Sequence, residues 1–265
     1  MRGARGPPVS TAQGGLLPVD WDAPGSVGAL MSTRQGGCGA GPFASFNLGD
    51  HVGDDPATVA ANRALWNARM SGARLAWLTQ VHGAVVVEAA QAARAALQGE
   101  RPPQADGSWT AEPGVACVVQ VADCLPVLFA ARNGRAVGAA HAGWRGLAAG
   151  VLERTVEAVA QAARCEPADV ACWLGPCIGP RQFEVGADVL EAFGGGERFL
   201  SRSRPDGQAR WLADLPGLAR DRLQTFGLHH MAGGIWCTVE DRSRFFSFRR
   251  DGVTGRMAAA VWLRA

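Results

Sequence analysis

The chain is 265 residues long, carries a formal net charge of +2 and is 48% hydrophobic. That length buries a sizeable core, as one large domain or two small ones, and the near-balanced charge does not call for a nucleic-acid or other polyanionic partner. Every basic residue other than histidine is arginine; the absence of lysine excludes Schiff-base and lysine-base chemistry.

The chain opens on "MRGARGPPVSTAQGG", Gly/Pro-rich and without the apolar core of a signal peptide, so residues 1–24 read as a flexible tail. No run approaches the roughly 18 apolar residues of a membrane span. The seven cysteines are an odd number. They read as thiols or metal ligands of a reduced, cytoplasmic protein rather than a disulfide framework. Val27 to Ser32 predicts a short strand feeding a long loop rich in Gly, Asp and Asn. "DDPATVAANRALWNARMSG" predicts a helix, with Asp55 as N-cap, Pro56 at the first helical position and Gly72 closing it. "RLAWLTQVHGAVVVEA" reads as two strands flanking a tight turn near His82 and Gly83, and "QAARAALQGERPPQ" as a polar connector.

"GVACVVQV", "LPVLFAA" and "AVGAAH" are apolar runs of strand length, as expected of strands buried on both faces. Asn133-Gly134 marks a hairpin between the last two. "GLAAGVLERTVEAVAQAAR" predicts one amphipathic helix, with Ala148, Val151, Leu152, Val156 and Val159 at helical spacing. "ADVACWLGPCIGP" is a strand entering a Gly/Pro loop. "ADVLEAFGGG" and "DLPGLARDRLQTFG" are helices. "GGIWCTVEDRSRFFSFRRDGVTGRMAAAVWL" supplies final strands around an arginine-rich loop. There is no internal repeat. The mixture fits an α/β or α+β sandwich around a central sheet, and the absence of an exposed apolar helix seam favours a monomer.

Three reactive residues share one context. His82 ends "WLTQVH", Cys124 stands between two strand runs in "QVADCLPV", and His141 ends "AVGAAH". Strand ends of this kind can converge at one rim of a sheet. Two imidazoles and a thiolate suit zinc and also attract copper, and three protein ligands leave a position for water or substrate. The same atoms allow a second reading, with Cys124 as nucleophile and His141 as its base. Spacing does not separate the two.

The blocks "TRQGGCGAGPFASFNLGDHVGDDP", "TQVHGAVVV", "ADG", "GVACVVQVADCLPVLF", "VGAAHAGWRGLAAGV", "WLGPCIGPRQFEVG" and "CTVEDRSRFFSFRRDGVTGRMAAAVWL" occur in this order. Together they resemble the bacterial laccase-domain family, whose members carry the labels polyphenol oxidase, peptidoglycan editing factor and purine nucleoside phosphorylase. The resemblance runs from about Val27 to Leu263. It implies an α+β fold, a single-domain α/β/β/α sandwich over 25–265 with a mixed central sheet, similar to the catalytic domain of cytotoxic necrotizing factor toxins. It implies zinc held by His82, Cys124 and His141. It also implies phosphorolysis of adenosine, inosine, guanosine and S-methyl-5'-thioadenosine, with deamination of adenosine. A Cys-His hydrolase or amidase acting on peptidoglycan precursors and a copper-dependent polyphenol oxidase are the alternatives. Five histidines in all are too few for a four-copper assembly.

For deamination, Asp123 beside Cys124 is a candidate proton shuttle; it could equally hold a loop through backbone amides. For phosphorolysis, arginine suits phosphate because its planar fork donates two hydrogen bonds at once. Of Arg34, Arg63, Arg145, Arg249 and Arg250, Arg63 and Arg249 are the preferred candidates. Asn47 could bond ribose or base, or form a turn. Gln80 would share the His82 face on a regular strand and could orient ligand or substrate. Tyrosine is absent, which excludes a phenolic acid or base. Phe183 and Phe248, where the family often has tyrosine, can still stack on a purine.

Overall fold

The apolar runs around residues 115–142 form the frame on which everything else is placed. The structure, a computed structural model, describes residues 15–204 and 206–265. In chain order the first half holds β1 (Leu16–Leu17), β2 (Val27–Ser32), α1 (Pro56–Asn67), β3 (Arg74–Ala76), β4 (Val86–Glu88), α2 (Ala89–Leu97), β5 (Gly107–Thr110), β6 (Val115–Val121), β7 (Leu125–Ala131) and β8 (Val137–Ala142). The second half holds α3 (Trp144–Ala148), α4 (Val151–Ala163), β9 (Val170–Leu174), β10 (Glu184–Val185), α5 (Ala187–Ala192), β11 (Phe199–Ser203), β12 (Ala209–Ala213), α6 (Leu215–Thr225), β13 (His230–Gly233), α7 (Phe248–Asp251) and β14 (Met257–Leu263).

Two large sheets carry the fold. One has the order β1-β2-β14-β6-β3, the other β13-β9-β7-β8-β5-β4, and a small sheet β10-β12-β11 flanks them. Both large sheets are mixed: β3–β6, β4–β5 and β9–β13 pair in parallel, whereas β6–β14 and β7–β8 are antiparallel.

Alternation along each strand divides the interior into layers. Between the sheets, Val115, Cys117, Val119 and Val121 of β6 meet Leu128 and Ala130 of β7 and Met257, Ala259 and Val261 of β14. On the outer face of the first sheet, Ala116, Val118, Ala258 and Trp262 pack on Trp66 of α1 and on Met70. On the outer face of the second, Val127 and Phe129 pack on Leu152, Val156 and Val159 of α4 and Leu223 of α6. The result is a single-domain α/β/β/α sandwich of mixed α+β type. Strands covered on both sides have no use for a polar face, so β6, β7, β8 and β9 are buried throughout.

Several local expectations are corrected. The tail expected over 1–24 lies outside the described residues up to residue 14, but Leu16 and Leu17 already pair with Met31 and Ser32 of β2. Leu17 is buried, so residues before 25 already belong to the sheet. The two strands around His82 are not a hairpin: β3 joins the first sheet through β6 and β4 joins the second through β5. The connector after Glu88 contains α2, whose Ala89, Ala90, Ala92 and Ala93 are buried between the sheets; alanine gives a stripe too faint to read as amphipathic. The single helix expected after Gly146 is broken at Gly150, which adopts φ 88° and caps α4. The predicted N-cap of α1 is present: the Asp55 carboxylate accepts from the Thr58 backbone N–H, with Pro56 following.

Candidate active site at the rim between the sheets

The three residues expected at strand ends come together near the junction of the two sheets, although His82 and Gln80 lie in the loop after β3 rather than on a regular strand. His82 lies on the connection from β3 to β4, Cys124 on the three-residue passage from β6 to β7, and His141 near the end of β8. Their ligand atoms lie within 4.8 Å of one another, and the two imidazole rings are 4.9 Å apart at 77°. His82 and Asp123 are two of four described non-glycine residues with positive φ, at 59° and 91°. That left-handed backbone is costly for a side chain and clusters where geometry serves function. Gly143 packs closely beside them: a Cβ there would stand 3.0 Å from Cys124 Sγ and 3.0 Å from His82 Cδ2, so a side chain would press on both.

Asp106, a residue to which the sequence reading gave no role, organises the cluster. Its Oδ1 faces His141 Nδ1 at 2.8 Å and accepts from the His82 backbone N–H at 2.9 Å. Its Oδ2 accepts from the N–H groups of Val81 and Gly83 at 3.1 and 2.7 Å, and its carbonyl accepts from the His141 N–H. One buried carboxylate therefore fixes the turn that carries His82 and the ring of His141. With Nδ1 directed at Asp106, the hydrogen bond between His141 and Cys124 falls to Nε2. The only sequence signal was "ADG", an acid directly before a buried strand.

Electrostatics follow from this packing. Burial opposes ionisation of Cys124, but the His141 charge and hydrogen bonds with His141 and His82 outweigh it and lower the thiol pKa. Burial would likewise lower His141, yet the Cys124 charge and the bonds to Asp106 and Cys124 raise it. Asp106 is held below the usual carboxylate range: burial opposes this, and the His141 bond and the backbone donors prevail.

The cluster opens into a cleft of about 400 Å³ whose walls include His51, Gln80, Gln120, Asp123, Trp144, Phe183, Phe248, Arg249 and Arg256. Of the substrate candidates, Gln80 and Arg249 are on this wall. The Gln80 amide pairs with the backbone of Gln120, donating at 2.9 Å and accepting at 2.7 Å. Arg249 stands 5.6 Å over the Phe183 ring and donates to the Glu184 carbonyl.

Asn47 and Arg63 are not on the wall. Asn47 is fully buried; its NH₂ donates to the Gly49 carbonyl and Asp54, and its oxygen accepts from the N–H groups of Gly49 and Arg256. That uses its whole bonding capacity, and these are the contacts of the turn-forming alternative. Arg63 donates to the Leu48 carbonyl, ion-pairs with Asp50 at 3.1 Å and lies 4.1 Å over Trp77; it anchors the loop that carries His51. Asp123 lines the cleft, but its two carboxylate oxygens each accept at 2.6 Å, from the Thr238 hydroxyl and the Arg249 backbone N–H. These contacts match its loop-holding alternative. Among the other arginines, Arg250 donates to the carbonyls of Thr238, Val239 and Phe245, and Arg34 donates to that of Ala44. Arg256 was overlooked; its signal was a charge placed directly before the fully apolar run of β14.

The described cysteines are all free thiols. No helix among the described residues is long and apolar enough to cross a membrane.

Fold and site together define an α/β/β/α sandwich with a thiol-imidazole candidate metal site at the rim between its two sheets. The chain belongs to the family described as multi-copper polyphenol oxidoreductase laccase, which matches residues 28–264. It is 47% identical over 254 residues to purine nucleoside phosphorylase PA4543 of Pseudomonas aeruginosa, covering 94% of this chain and 98% of that protein. It is 45% identical over 251 residues to purine nucleoside phosphorylase YfiH of Escherichia coli, with the same coverage of 94% and 98%. Among solved structures, Neisseria meningitidis protein NMB0706 superposes with a TM-score of 0.85 at 44% identity, covering 95% of this chain and 100% of that one. YlmD from Geobacillus stearothermophilus gives 0.82 at 34% identity, over 91% and 93% of the two chains.

Proposed function

We propose that the rim cleft is the active site of a zinc-dependent purine nucleoside phosphorylase. Its substrates are adenosine, inosine, guanosine and S-methyl-5'-thioadenosine, and adenosine deamination is a second activity. The observation that carries the reading is the convergence of His82, Cys124 and His141 on a cleft walled by aromatic rings and arginine, in a chain 47% identical to a relative named for that activity.

The donor set fits a metal. Two imidazoles and a lowered-pKa thiol suit zinc, and would also accept copper, and Asp106 supplies the carboxylate that ligating histidines commonly bond. His82, Cys124 and His141 would hold the ion; when bound, it supplies Lewis acidity at the cleft floor. The remaining work falls to the chain. Phe183 and Phe248 offer apolar faces to a purine, and Arg249 offers a cation to phosphate. In phosphorolysis a phosphate oxygen bonds to ribose C1′ as the C1′–N9 bond breaks. The electron pair of that bond leaves on the purine, which takes up the proton that the attacking phosphate gives up, giving free base and ribose-1-phosphate. Asp123 acts here as a positioning residue, through the Arg249 backbone it holds.

One observation favours a second reading. Cys124, His141 and Asp106 line up as nucleophile, base and orienting acid, the arrangement of a thiol hydrolase or amidase acting on peptidoglycan precursors. The polyphenol-oxidase reading has less behind it: only two of the chain's five histidines enter the cluster. The test is to measure bound metal and assay adenosine with and without phosphate by product chromatography. Adenine with ribose-1-phosphate is expected in phosphate, and inosine marks deamination. Metal-loaded protein that turns over no nucleoside overturns the phosphorylase reading. Amide cleavage by metal-free protein, lost in Cys124→Ser, would support the hydrolase.

A further inference from the structure

The cleft wall holds two arginines, Arg249 and Arg256, whose surroundings differ from those of the arginines that hold surface and loop acids. Arg63, Arg198, Arg222, Arg244 and Arg250 each have a carboxylate partner. Among the described residues, Arg249 and Arg256 have none within ion-pair distance. Each uses only Nη1 to hold its own position. Arg249 Nη1 donates to the carbonyls of Gln182 and Glu184, and Arg256 Nη1 to those of Thr254 and Gly255. Among the described residues, Nε and Nη2 of both guanidiniums have no hydrogen-bond partner, and these two donors lie on one edge of the planar fork. Both guanidiniums also stand over rings of the cleft wall, Arg249 over Phe183 at 5.6 Å and Arg256 over Phe248 at 5.8 Å.

Arg256 is the more informative of the two. Its stem packs where a Cβ on Gly49 would stand 2.7 Å from Cγ, so the side chain is seated rather than free in solvent. Burial lowers its pKa, while the charges of Cys124 and Asp123 act in the opposite direction. A half-buried cation with an open donor edge is costly to keep unless an anion comes to it. Nearby Asp123 makes no ion pair with that edge: its oxygens accept from Thr238 and the Arg249 backbone. Neutral purine and ribose groups offer the open edge no charged acceptor, whereas a phosphate presents several anionic oxygens to a planar fork.

We infer that Arg256 and Arg249 form the anion site of the cleft and take inorganic phosphate, with Arg256 as the seated inner anchor and Arg249 as the outer one. Naming phosphate as the ligand rests on the phosphorylase reading; the presence of an anion site does not.

The test is calorimetric titration of metal-loaded protein with inorganic phosphate, alongside phenylglyoxal modification mapped by peptide mass spectrometry. Wild type is expected to bind phosphate. Arg256→Met should bind about 10- to 100-fold more weakly, and Arg249→Gln more weakly than wild type, each with unchanged metal content. Phosphate should shield both arginines from phenylglyoxal in wild type, a readout that stands even if Arg256→Met does not fold. Failure of wild type to bind millimolar phosphate, equal binding by folded Arg256→Met, or modification at both arginines indifferent to phosphate overturns the inference. Phosphate binding that depends on Arg256, without turnover of any nucleoside, would support the site and remove the phosphorylase reading alone. Nucleoside phosphorolysis whose phosphate KM is unchanged in both variants would remove the site alone.

Discussion

Asp106 does more for the cluster than any residue inside it. It grips the backbone of Val81, His82 and Gly83 with one carboxylate and orients the His141 ring with the same group. Asp106→Asn replaces one acceptor oxygen with a donor and removes the charge that favours Nδ1–H on His141. The expected outcome is a loss of about 10- to 100-fold in metal affinity, read by competition with a chromophoric chelator. An altered thiolate-to-metal band in the cobalt-substituted protein should accompany it. Wild-type affinity with an unchanged band would remove the positioning role.

The thiol gives a pH signature at the same scale. The pKa of Cys124 is lowered in the folded protein, so thiolate persists through neutral pH and is lost only as the pH falls through that lowered value. In metal-free protein, Cys124 is therefore expected to react with iodoacetamide at neutral pH. Cys117 and Cys172, pushed up to about 12 by burial, should stay silent. His141→Ala removes the opposing charge and leaves burial to act, so the reaction should then begin only at higher pH. Alkylation of wild-type Cys124 that starts only above the ordinary thiol range would count against the pairing.

At the scale of elements, legibility followed charge and turn chemistry. Strands β6, β7, β8 and β9 were readable because nothing charged interrupts them. Helix α1 was readable because Asp55 and Pro56 announce its start. What failed was partnership. Periodicity says that β3 and β4 are strands, but not that they belong to different sheets. The apolar stripe through Gly150 hid the break between α3 and α4, because one glycine hardly disturbs a stripe. Gly150 has φ 88°, and Gly150→Ala forces a side chain into that region. A destabilisation of about 1–2 kcal/mol is expected, read as a lower denaturant midpoint with unchanged slope. An unshifted midpoint would show that the break relaxes into continuous helix.

Across the whole molecule, the same division holds for the site. His82, Cys124 and His141 stood out because reactive side chains at the ends of buried strands are conspicuous, and the family motifs grouped them. Asn47 and Arg63 stood out because a loop rich in Asp and Asn resembles a binding loop; in the structure their contacts are with that loop. Asp106 and Arg256 were hidden because their roles depend on neighbours remote in sequence: Arg256 meets the cleft only after β14 has taken its place.

That place has a consequence for how the protein is made. Strand β14 follows every other described strand in sequence, yet it is the middle strand of its sheet, between β2 and β6. Until β14 has been synthesised, the edges of β2 and β6 that it occupies in the folded sheet lack that partner. Open edges of that kind invite pairing with neighbouring chains. Until then the two halves of that sheet are not joined, a window in which a chaperone that shields β-strand edges has the most to protect.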